Sequence, residues 1–141
     1  MATKADFTAD EWDSLHTGVT GAGMLVSLSD RDLSDSFGES TAMAKYLAAQ
    51  VTAGPTQLIR EIAGVHGTGF GFTASPEKVR AKTMDALTSS ISTLSAKAPD
   101  DVDAYRALVL GIAEAVAEAK GGVTPVETSM IEEIRKVVSA G

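Results

Sequence analysis

Three times in this 141-residue chain a Ser or Thr stands three residues ahead of a Glu at the head of an apolar run: Thr8 with Glu11, Ser36 with Glu39, and Thr124 with Glu127. Each pair is a capping box. The hydroxyl accepts from the backbone N–H three residues on, and the Glu carboxylate accepts from the N–H of the cap. Such reciprocal bonds satisfy donors that the first turn of a helix otherwise leaves unpaired. Phe7 and Trp12 flank the first box in the positions of a hydrophobic staple. A further start is written as Ser75-Pro76-Glu77, a cap followed by Pro at the first helical position.

Apolar residues at helical spacing follow each start. Leu15, Val19 and Val26 continue the first face; Met43, Leu47 and Val51 form the second. Gly18, Gly21 and Gly23 interrupt helix one, each costing about 1 kcal/mol relative to Ala. Either a neighbouring helix packs closely there, or the helix breaks. Ser27 to Ser36 is rich in Ser and Asp, the composition of a loop. Gly54-Pro55 ends helix two and is expected to open a short helix three, whose face is Leu58, Ile59 and Ile62. Val79, Met84, Leu87, Ile91 and Leu94 make the face of helix four, which Pro99 stops.

Helix five is expected from Asp100 to about Lys120, with Asp100, Asp101 and Asp103 at its positive end. Its stripe is Tyr105, Leu108, Val109, Ile112 and Val116, and Gly121-Gly122 ends it. Helix six carries Met130, Ile131, Ile134, Val137 and Val138. No run alternates apolar and polar residues between turn signals. The expected fold is therefore all-α: a single compact bundle of about six helices with short connections, one domain over residues 1–141. A glycine-rich linker, 64–74, separates its two helical halves.

Aromatic residues make up only 5% of the chain, so the core must be built from aliphatic side chains, Met and Ala. Absence of Cys removes disulfides, thiolate metal sites and a thiol nucleophile. The first residues lack the apolar stretch of a secretory signal, and the expected location is the cytoplasm. The longest apolar run, Ala107 to Ala113, is far short of the ~20 residues of a membrane span. A net charge of −7 argues against nucleic acid and against an anionic membrane surface as partners.

Two stretches, FTADEW at residues 7–12 and PDDVDAYRALVLGIAEAVAEAKGG at 99–122 followed by VTPVETSMIEEI, resemble a group of small all-helical bacterial proteins without assigned activity. More loosely, the layout is similar to the tellurite-resistance TerB-like helical fold. That second resemblance implies an acidic site for divalent metal at an Ala-Asp-Gly step, where this chain has Ser29-Asp30-Arg31.

The acidic residues Asp30, Asp32, Asp35 and Glu39 form the candidate metal site, with calcium or magnesium as the cation. Asp30 and Asp32 match the first two ligand positions of a calcium loop. Asp35 stands where its turn glycine belongs, and Thr41 at the bidentate Glu position. The plain alternative is a solvated loop beside a helix cap. Gly67-Thr68-Gly69-Phe70-Gly71 lacks the strand that a dinucleotide fingerprint requires and reads as a linker, with Phe70 and Phe72 anchoring it. His16 and His66 have no Glu three residues ahead and no readable nucleophile partner. Lys78, Arg80 and Lys82 do not all share one helix face.

The leading functional expectation is a non-catalytic helical domain that binds a protein partner or associates with itself, as a homodimer, without a cofactor. Small residues on helices one and five serve either internal packing or a subunit contact. The alternative is a divalent-metal-binding, TerB-like stress-response domain. An enzyme or small-ligand pocket closed by the glycine linker ranks third.

Overall fold

The computed structural model describes residues 2–29, 36–65, 75–119 and 125–139. They form six α-helices: α1 (Ala9–Ser29), α2 (Ser36–Ala53), α3 (Gln57–Ala63), α4 (Pro76–Lys97), α5 (Val102–Glu118) and α6 (Pro125–Ser139). Short 3-10 turns, Lys4–Asp6 and Pro99–Asp101, precede α1 and α5. No strand occurs among the described residues. None of their helices is long and apolar enough to cross a membrane.

The first helix begins as its capping box dictates. The Thr8 N–H donates to Glu11 Oε1 at 2.8 Å, and the Glu11 N–H donates to Thr8 Oγ1 at 3.1 Å. The staple closes beside it, with the Phe7 and Trp12 rings 6.4 Å apart. The helix then runs unbroken through its three glycines and on to Ser29, three residues into the polar stretch that the sequence marks as loop. The reason lies in what surrounds it. Every residue from Leu15 to Gly23 is buried, because α1 packs between α4, α5 and α6. A methyl group on Gly18 would lie 2.5 Å from the Tyr105 hydroxyl and 2.9 Å from Leu87 Cδ2, and one on Gly21 would overlap Thr83. The small residues of α1 thus serve internal packing, and burial offsets their poor helix propensity.

The apolar stripes of α4, α5 and α6 enclose this central helix. All five stripe residues of α5 are buried. Val79, Leu87, Ile91 and Leu94 are buried on α4, and Ile131, Ile134 and Val138 on α6; Met84, Met130 and Val137 are half-buried. Tyr105 is fully buried and its hydroxyl donates to the Leu15 carbonyl at 2.8 Å, tying α5 to α1. Arg106 Nε donates to the Val138 carbonyl at 2.6 Å, so a guanidinium satisfies a carbonyl at the C-terminal end of α6. Glu127 is buried in the first turn of α6, where the helix dipole favours negative charge. Lys97 holds the N-terminal segment to the end of α4 through Glu11 Oε1 at 2.6 Å and the Asp6 carbonyl at 3.3 Å.

Three details differ from the sequence reading. Helix three starts one residue after Thr56, whose hydroxyl accepts from the Ile59 N–H at 3.2 Å; a hydroxyl cap outcompetes Pro55, which stays outside the helix. Asp100 and Asp101 belong to the 3-10 turn, which leaves only Asp103 in the first turn of α5. Val51 is 43% exposed rather than part of a buried stripe.

Candidate functional site

Thr8, Ala9, Trp12, Asp13 and His16 recur at the spacing of one helical stripe along the first two turns of α1. The 3-10 turn brings Lys4 and Phe7 beside this stripe, and Val65, just beyond α3, reaches it from the other side. Together these residues line a cavity of about 500 Å³. Its walls are largely aromatic and aliphatic. Lys4 Nζ sits 5.7 Å from the centre of the Trp12 ring, a cation–π contact at the rim. Asp13 is exposed at the same rim.

His16 is the polar group of this cavity that the fold has taken out of water. It is only 6% exposed, and its Nδ1 is buried without a hydrogen-bond partner. Burial pushes the imidazole pKa below its ordinary value, against a smaller opposing pull from the Asp13 carboxylate. The ring is therefore neutral near pH 7, with one donor and one acceptor nitrogen.

A second feature is the surface of α2. From Thr41 to Ala53 none of its residues is buried. Met43, Tyr46 and Leu47 are half-buried on the side facing α1, α3 and α5, with Met43 against Gly23 and the Tyr46 hydroxyl seated on Gly111. Ala44, Ala48 and Val51 are exposed at helical spacing. Lys45 is the only charged residue between Thr41 and Ala53. A third feature is an open apolar groove between α4 and α6, lined by Thr88, Ile91, Ser92, Ser95, Ala96, Lys136 and Val137.

Comparison with known protein families, curated proteins and solved structures gives no match for this chain. The TerB-like resemblance rests on the sequence layout alone.

Of the residues singled out from sequence, Asp30, Asp32 and Asp35 lie outside the described residues, as do the Glu39 side chain, His66 and Gly67 to Phe72. Among the described residues no three His, Asp or Glu side chains gather as a metal site. The basic residues of α4 do not form one patch: Arg80 pairs with Glu133 of α6 at 2.7 Å, whereas Lys82 borders a small cleft with Asp13 and Asp85. The cavity was not read from sequence. Trp12 and His16, four residues apart on a capped helix, gave half of it. The other half comes from Lys4, Phe7 and Val65, whose convergence depends on tertiary packing.

Proposed function

We propose that this chain is a helical interaction domain that pairs with a second copy of itself through the outer face of α2. The observation that supports this reading is the absence of any buried residue from Thr41 to Ala53 on a helix composed mainly of Ala with Met43, Tyr46, Leu47 and Val51. Such a helix gains little from water on its outer side. Charge favours a second copy at the same place. Two molecules of net charge −7 repel one another, and they approach at least cost where each presents almost no charge. A two-fold axis sets like on like, and small side chains at Ala44 and Ala48 let the two helices come close. Thirteen residues of helix span only ~20 Å. The contact is therefore smaller than the ~800 Å² per partner of a standard interface, which makes the dimer weak and concentration-dependent.

Sedimentation equilibrium from micromolar to near-millimolar protein tests the reading. A reversible monomer–dimer equilibrium is expected, and Ala48→Glu should abolish it with an unchanged helical circular dichroism spectrum. Glu is a good helix former at an exposed site, so the substitution adds charge without harming α2. A monomer at every concentration, or a dimer indifferent to Ala48→Glu, overturns the proposal.

A further inference from the structure

We propose that the hollow where the N-terminal turn, the α2–α3 connection and the α4–α5 corner meet binds a short linear diamine, an organic dication with an ammonium group at each end. The hollow measures about 490 Å³. Three carboxylates line it: Asp6 from the 3-10 turn before α1, and Asp100 and Asp101 from the 3-10 turn before α5. Lys97 brings the one ammonium among the lining residues, and that charge is already engaged. It lies 2.6 Å from Glu11 Oε1, which is outside the lining, and donates to the Asp6 carbonyl at 3.3 Å. The hollow is left with an excess of negative charge, on a chain whose net charge of −7 draws cations toward it.

Asp101 separates this hollow from an ordinary acidic patch. The residue is only 7% exposed. It stands at the N-cap of α5, yet its side chain makes no capping hydrogen bond, and its carboxylate has no other hydrogen bond or ion pair among the described residues. Nor are its oxygens among the unpartnered polar atoms that are sealed from solvent. The carboxylate is thus the part of a nearly buried residue that stays reachable, and the hollow is the cavity that Asp101 lines. Drawing a carboxylate this far out of water is unfavourable unless a positive partner joins it.

The arrangement also selects among cations. No three acidic side chains of the described residues gather closely enough to hold a single metal ion. A cation that carries its charges apart can instead meet separate carboxylates, each ammonium offering three donors. Ala2, Pro55, Ala98 and Pro99 add apolar wall, against which the methylenes of such a molecule lose contact with water.

Proton–nitrogen NMR titrations of the full chain with 1,4-diaminobutane, butylamine and magnesium chloride test the proposal, at physiological ionic strength so that diffuse attraction is screened. Diaminobutane should shift the amides of Thr56, Asp100 and Asp101 saturably and bind roughly tenfold or more tightly than butylamine, the worth of a second charge-assisted hydrogen bond. Asp101→Asn should weaken diaminobutane roughly tenfold. Because the Asp101 side chain caps nothing, the exchange leaves the start of α5 intact. Asp85→Asn removes the same charge from an exposed site on α4 outside the hollow, and should change the affinity less than about twofold. If Asp101→Asn does not fold, the comparison of the three ligands on the unaltered chain still decides. Equal affinity for diamine and monoamine, or magnesium bound as tightly at the same amides, would overturn the proposal. So would an Asp101→Asn chain that binds diaminobutane unchanged, or an equal loss from Asp85→Asn.

Discussion

Gly18→Ala is a sharp test of how α1 is held. In an isolated helix the change would stabilise by about 1 kcal/mol, because Ala restricts the unfolded chain and favours the helix. Here the added methyl would stand 2.5 Å from the Tyr105 hydroxyl and 2.9 Å from Leu87 Cδ2. Neither neighbour has room to retreat, since both side chains are fully buried. Overfilling a packed interior costs about 1–3 kcal/mol. Displacing the Tyr105 hydroxyl from the Leu15 carbonyl, 2.8 Å away, adds about 1 kcal/mol or more for a buried donor left unpaired. The net expectation is a loss of about 1–3 kcal/mol, read by urea denaturation followed by circular dichroism. Tyr105→Phe alone should lose about 1 kcal/mol with its hydrogen bond. The double variant should be less destabilised than the sum of the two, because removing the hydroxyl makes space for the methyl. Gly64→Ala is the control. Gly64 is exposed at the end of α3 with φ −81°, and a methyl there meets nothing closer than 3.6 Å, so the change should be neutral or stabilising. A neutral or stabilising Gly18→Ala, or strict additivity with Tyr105→Phe, would refute the close packing of α1 against α4 and α5.

Burial lowers the His16 pKa in the folded state, so the unfolded chain binds the proton more readily. Stability from this group is present above its unfolded pKa of about 6.5 and is lost as pH falls through the folded value; the stability difference between the unaltered chain and His16→Asn should shift by that loss in acid, and a pH-independent difference would contradict it. Lys97→Met removes the links to Glu11 and the Asp6 carbonyl, so amide exchange at Asp6 and Phe7 should quicken while global stability changes little. Unchanged exchange would show that the N-terminal turn is held by Phe7 packing alone. Millimolar calcium or magnesium should leave the melting temperature unchanged, and Asp30→Asn with Asp32→Asn should be neutral or slightly stabilising. A cation binding only the folded chain would instead add about 2.7 kcal/mol at one hundred times its dissociation constant, which the same melt would reveal.

Local chemistry made much of this fold legible. The Thr8 and Ser75 caps need only their own neighbours three residues on, and the Tyr105-to-Val116 stripe follows from helical geometry. The glycines of α1 were ambiguous for a physical reason. Whether Gly18 breaks a helix or admits a neighbour depends on Leu87 and Tyr105, which lie far along the chain. Val51 fits a helical stripe by spacing, yet none of the described helices buries it, and spacing says nothing of how many neighbours a helix has. His16 looked ordinary because its significance lies in an unpaired nitrogen, a property of its surroundings. Asp30, Asp32 and Asp35 stand apart, since they lie outside the described residues.

The central place of α1 sets the order in which this molecule can be completed. Made before its partners, α1 leaves the ribosome with its buried face exposed, while α4, α5 and α6 are still to come. The early product can join α2 to α3, but it offers α1 only minor contacts with either. Leu15, Val19 and Val26 must therefore wait through translation of more than half the chain, in a segment whose glycines keep its intrinsic helicity low. Folding is delayed until α4, α5 and α6 have emerged, and a chain released before then exposes an apolar helix that they do not cover. Truncation after α3 should accordingly yield a species that aggregates or is degraded, rather than half of a working bundle.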